Sequence, residues 1–112
     1  MDIGLEVSEH GRWSVLTVDG EVDVATAPKL REKLIDLVNA GVSNIVVDLG
    51  RVEFLDSTGL GVLVGALKRI RTVDGELALV CDEPRILKVF EITGLTKVFT
   101  MYPTVDEAVT AG

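Results

Sequence analysis

The sequence predicts an α/β fold: one domain, residues 1–112, with a mixed sheet made of an initial hairpin and then parallel strands, packed with about four helices. Three observations lead there. Two extended segments flank a short glycine-containing turn near the start, residues 45–49 are a nearly continuous apolar run, and segments of helical periodicity separate the later strands. At 112 residues, 47% hydrophobic and 26% charged, the chain has the size and make-up of one globular domain with a single core. It shows no repeat, low-complexity tract or linker.

Residues 5–9 and 13–18 read as strands around His10, Gly11 and Arg12, a hairpin turn. A helix is expected from about Thr26 or Ala27, with Pro28 in the first turn, where its missing N–H costs little, and with Leu30, Leu34, Leu37 and Val38 on one face until Gly41 stops it. The apolar run 45–49 is a strand covered on both faces, followed by a loop over residues 50–56. A second helix starts near Ser57 with an apolar stripe of Leu60, Leu63, Val64, Leu67 and Ile70, and ends at Asp74 and Gly75. Residues 77–81 form the next strand, with Cys81 packed at its end. Pro84 opens a third helix that Gly94 ends, residues 98–101 are a last strand, and Thr104 with Glu107 matches the capping box of a final helix.

With 18 acidic and 11 basic residues the formal charge is −7, a field that repels nucleic acid and anionic lipid and suits a protein partner. Six of the acids but one base fall in residues 1–23. A lone cysteine allows no internal disulfide and no metal-ligand spacing, and the start lacks the features of a secretory signal, so a reducing, cytoplasmic setting is expected. The longest apolar stretch, residues 60–67, is far below the roughly 20 residues of a membrane span.

The segment Phe54-Leu55-Asp56-Ser57-Thr58-Gly59-Leu60-Gly61 places hydroxyl residues where a loop becomes a helix. Asp56 or Ser57 can cap that helix, and a helix amino terminus also tolerates an added anion, so Ser57 can accept a phosphate there. Gly59, Gly61 and Gly65 each cost up to about 1 kcal/mol relative to alanine inside a helix, which calls for a close approach to that backbone. Gly61 and Gly65 share a face with Thr58, bordered by Val62 and Ala66; that face either nests against a neighbouring element or meets a partner. Enzyme readings fit poorly. Leucine at position 55 and the upstream place of His10 depart from the serine-hydrolase pattern, the glycine spacing departs from the dinucleotide motif, and no Gly-Lys-Ser or Gly-Lys-Thr is present for a P-loop. Asp48 lacks the paired acids of a Mg²⁺-binding receiver. No cofactor or metal is expected.

The chain resembles the STAS-domain anti-anti-sigma factors, or anti-sigma factor antagonists, of bacterial sporulation and stress control. The resemblance spans almost the whole chain and rests on Gly20-Glu21-Val22-Asp23, Val47-Asp48-Leu49, the 54–61 segment and Phe90-Glu91-Ile92-Thr93-Gly94-Leu95, in that order. It implies a non-enzymatic module that is phosphorylated on Ser57, with Thr58 a second hydroxyl beside it. The unphosphorylated form binds an anti-sigma factor with serine kinase activity and releases the sigma factor; phosphorylation ends binding and a serine phosphatase resets it. Asp23 is implied to support phosphotransfer or to shape the docking site. The docking surface is then Asp23, Asp56, Ser57, Thr58, Gly61, Val62 and Gly65, on an acidic edge. The alternative is a STAS module that senses a ligand or serves as a scaffold without turnover at Ser57.

Overall fold

Gly11 takes the left-handed backbone (φ 62°) that a two-residue hairpin turn favours, and with Arg12 it joins two antiparallel strands, β1 (Ile3–His10) and β2 (Trp13–Val22). The computed structural model describes residues 2–111. After the hairpin come α1 (Ala27–Asn39), β3 (Asn44–Leu55), α2 (Ser57–Arg71), β4 (Glu76–Val80), α3 (Pro84–Ile92), a 3₁₀ turn at Leu95–Lys97, β5 (Thr100–Tyr102) and α4 (Val105–Thr110). The expected α/β class, the mixed sheet and the four helices are therefore present.

The sheet order follows the chain, β1-β2-β3-β4-β5, with β2 to β5 parallel. Successive right-handed crossovers stepping in one direction put their helices on one face, so α1, α2 and α3 share a side of the sheet. There Leu30, Leu34, Leu63, Ile70 and Phe90 close over Leu16, Val18, Ile45, Val47 and Leu79. Fully burying such a side chain contributes about 1.5–3 kcal/mol. The other face carries a smaller core, in which Ala108 of α4 packs with Trp13, Val15, Val46, Ala78 and Val80.

The segment expected as a loop over residues 50–56 is instead strand as far as Leu55. Two register shifts against β2 explain why the pattern misleads: Thr17 pairs with Asp48 but Asp19 with Arg51, and Gly20 with Val52 but Glu21 with Phe54. Each shift absorbs an extra residue of β3, so buried Leu49, Val52 and Leu55 stand three apart and the two-residue period is lost. β2 likewise runs to Val22 rather than stopping near residue 18, β5 begins at Thr100 rather than 98, and the 3₁₀ turn was not anticipated. At α4, the Glu107 amide donates to Thr104 Oγ1 at 3.2 Å, which is one half of the expected capping box.

β4 pairs with β3 only as far as Asp48, so the last residues of β3 continue past it with β2 as their strand partner. These two strand ends hold the candidate site. The hairpin register puts Ile3 beside Gly20, at the same end of the sheet, while Trp13 and Glu76 begin their strands at the opposite end.

Candidate functional site

Val22 pairs with Leu55, so the next residues of each strand, Asp23 and Asp56, leave the sheet side by side, and the Asp56 amide donates to the Val22 carbonyl at 3.2 Å. Both carboxylates organise backbone. Asp56 is the N-cap of α2; its Oδ1 accepts from the amides of Thr58 (2.9 Å) and Gly59 (3.1 Å). The cap therefore belongs to Asp56, and Ser57 becomes the first residue of the helix. Its exposed hydroxyl makes no hydrogen bond among the described residues, and neither does that of Thr58.

Asp23 closes the loop between β2 and α1. Its Oδ1 accepts from the amides of Ala25 (2.9 Å) and Thr26 (3.1 Å), while its own amide donates to Thr26 Oγ1 at 3.0 Å. The Thr26 hydroxyl donates to the Glu21 carbonyl at 2.7 Å, so Thr26, 2% exposed, spends its side chain on this loop and not on capping α1. The Thr26 amide is the main cause that holds the Asp23 carboxyl below its ordinary 3.8, with burial acting in the opposite direction.

The three glycines of α2 divide into two kinds. A Cβ on Gly59 would lie 2.6 Å from both Leu55 Cδ1 and Val22 Cγ1, so the close approach anticipated from the sequence comes from the protein's own strand ends. Nothing lies within 4 Å of a Cβ added to Gly61 or Gly65. Their face does not nest against a neighbour. It forms one wall of an open trough of about 310 Å³ between α1 and α2. Thr58, Gly61, Val62, Gly65, Ala66 and Arg69 line it from α2, and Arg31, Leu34, Ile35 and Val38 from α1.

Asp23, Asp56 and Ser57 thus stand together at the strand ends, while Thr58, Gly61, Val62 and Gly65 run down one helix away from them. Two exposed apolar residues at the same end had not been singled out: Val24 in the Asp23 loop, 74% exposed, and Phe54 of β3, 47% exposed. An apolar residue inside a turn was the available signal for Val24; Phe54 was hidden in the segment read as loop. The acidic edge expected from residues 1–23 is only partly gathered here. Asp2 and Asp23 lie at this end, whereas Glu9 accepts from Ser14 at the hairpin-turn end. Among the described residues no helix is long and apolar enough to cross a membrane, and no group of three or more His, Cys, Asp or Glu is placed to hold a metal ion.

The STAS domain family model matches residues 4–108. An anti-sigma-B factor antagonist of Staphylococcus aureus (strain NCTC 8325 / PS 47) is 40% identical over 95 residues, 85% of this chain and 88% of that protein. An anti-sigma factor antagonist from Mycobacterium paratuberculosis superposes with a TM-score of 0.90 at 37% identity, over 97% of this chain and 92% of its own. The Bacillus cell fate determinant SpoIIAA in its phosphorylated form superposes with a TM-score of 0.74 at 25% identity, over 96% of this chain and 98% of its own. Its unphosphorylated form matches the fold with the same TM-score, at 24% identity over 96% of each chain.

Proposed function

Since this chain belongs to the STAS domain family, we propose that it acts as an anti-sigma factor antagonist whose binding is switched by phosphorylation of Ser57. In this reading the unphosphorylated protein binds an anti-sigma factor with serine kinase activity and makes it release its sigma factor. The kinase then transfers phosphate to Ser57, binding ends, and a serine phosphatase restores the hydroxyl. The domain is the substrate and the binding module, working in the cytoplasm. Asp23, Asp56, Ser57, Thr58, Gly61, Val62 and Gly65 form the docking surface, with Asp23 shaping its loop.

The observation that carries the reading is the state of the Ser57 hydroxyl: exposed, without a hydrogen bond, and relieved of capping by Asp56. A phosphoserine adds about −1.5 to −2 charges at neutral pH. The helix amino terminus offsets little of this, because the amides of Thr58 and Gly59 already serve the Asp56 carboxylate. The added charge instead falls on the surface a partner covers. Desolvating it there costs several kcal/mol, and each 1.4 kcal/mol is about tenfold in affinity. Both the unphosphorylated and the phosphorylated SpoIIAA share this chain's fold, in keeping with a phosphate that the fold accommodates.

The test is incubation with purified anti-sigma factor kinase and ATP, then peptide mass mapping, alongside binding of Ser57→Ala and Ser57→Asp. The expected result is phosphate on Ser57, retained binding for alanine and weakened binding for aspartate. Phosphate confined to Thr58, or equal affinity for the wild-type, aspartate and phosphorylated proteins, would overturn the switch.

A further inference from the structure

The chain has 18 acids against 11 bases, yet the trough between α1 and α2 contains two guanidinium groups and no carboxylate. Arg31 and Arg69 are both exposed, and neither makes an ion pair among the described residues. The floor between them is apolar, supplied chiefly by Leu34, Ile35, Val38 and Val62. The trough starts at Thr58, next to the phosphoacceptor, and follows α2 for about three turns, roughly 16 Å at 1.5 Å per residue.

We infer that this trough receives a segment of the anti-sigma factor in which an apolar stretch is flanked by carboxylates, held by Arg31 and Arg69 while Ser57 is presented to the kinase. This inference rests on the reading of the chain as an anti-sigma factor antagonist and adds the chemistry that the partner brings. Arginine pairs with carboxylates in two-pronged geometry and is enriched among the residues that dominate interfaces. The open helix face at Gly61 and Gly65 admits a partner's main chain closer than any other residue type would. At about 310 Å³ the trough is at the lower end of the size of small-molecule sites and lies open to solvent, whereas a protein segment brings its own cover. The interface then has two signs: carboxylates at the strand ends around Ser57 and arginines along the trough. A phosphate on Ser57 adds charge of the sign that the trough is built to attract from the partner.

The experiment measures nucleotide-free binding and steady-state phosphorylation by the anti-sigma factor kinase for Arg31→Glu, Arg69→Glu, Gly65→Leu and Gly65→Ala. Each of the first three is expected to raise Kd and KM about tenfold or more, the scale of an interface anchor, with kcat nearly unchanged because these side chains hold the partner and take no part in the transfer itself. Gly65→Ala checks the fold, since its Cβ meets nothing and its thermal midpoint should not fall. Wild-type Kd and KM in Arg31→Glu and Arg69→Glu, with Ser57→Asp still defective, would overturn the trough and leave the switch standing. A loss confined to kcat would also overturn it. A wild-type protein that neither binds the kinase nor is phosphorylated by it removes the underlying reading, and the inference with it.

Discussion

Replacing Gly59 and Gly65 by alanine should move stability in opposite directions, although both glycines lie in the same helix. At Gly65 the new methyl meets nothing within 4 Å, and the helix gains the ordinary advantage of alanine over glycine, about 0.5–1 kcal/mol. At Gly59 it would stand 2.6 Å from Val22 Cγ1 and from Leu55 Cδ1. The leucine methyl is the end of a flexible side chain, but Val22 is branched at Cβ, fully buried and fixed in β2. Relief therefore requires the strand end or the start of α2 to shift, and overpacking of this kind costs about 1–3 kcal/mol. Allowing for a propensity gain of under 1 kcal/mol in the first turn, Gly59→Ala should be destabilised by about 1–2 kcal/mol. The two variants then differ by about 2 kcal/mol, or roughly 1 M in urea midpoint for a slope near 2 kcal/mol/M. Urea denaturation followed by circular dichroism measures this directly. A Gly59→Ala protein as stable as wild type, or a Gly65→Ala protein less stable, would refute the division of the glycines into a packed one and two open ones.

Three further outcomes follow from the same geometry. Asp56→Ala removes the oxygen that serves two first-turn amides and should cost about 0.5–2 kcal/mol in urea denaturation, with Asp56→Asn recovering most of it. Asp23 should titrate below 3.8 by carboxyl-resolved NMR; with its folded pKa depressed, its contribution to stability is complete above the unfolded value and is lost as pH falls through the folded one, so Asp23→Asn should flatten stability against pH below about 4. Cys81 is 3% exposed and burial raises its thiol pKa, so a thiol reagent at pH 8 should label it only as fast as the chain opens; immediate labelling would contradict its place in the core.

Much of this architecture is legible in the residues because local and global signals agree. The apolar run at 45–49, the Pro28 and Pro84 helix starts and the Gly11 and Gly41 turns each need only their neighbours to be understood. β3 beyond Leu49 was not legible, because its extra residues make sense only against the partner strand. The site divides in the same way. Ser57 and the shared face of Gly61 and Gly65 follow from helix periodicity, but whether that face is open, and whether Asp56 or Ser57 caps the helix, is decided only by the three-dimensional geometry. Arg31, Leu34, Ile35 and Val38 belong to the preceding helix, beyond an entire strand, and no spacing rule says that they face α2 across a trough. That pairing is a property of the parallel crossovers, which set α1 beside α2 on one face of the sheet.

The hairpin register has a practical side for anyone who attaches something to this domain. Asp2, bonded to Lys29 of α1, lies at the same end of the sheet as Ser57, two strands away, so an affinity handle or fluorescent protein joined ahead of it emerges on the side where a partner docks. Ala111 lies with Trp13 and Glu76 at the far end of the sheet. A tether placed after it leaves the phosphoacceptor end unobstructed, which makes that position the one from which to immobilise the protein or carry a reporter in a binding assay.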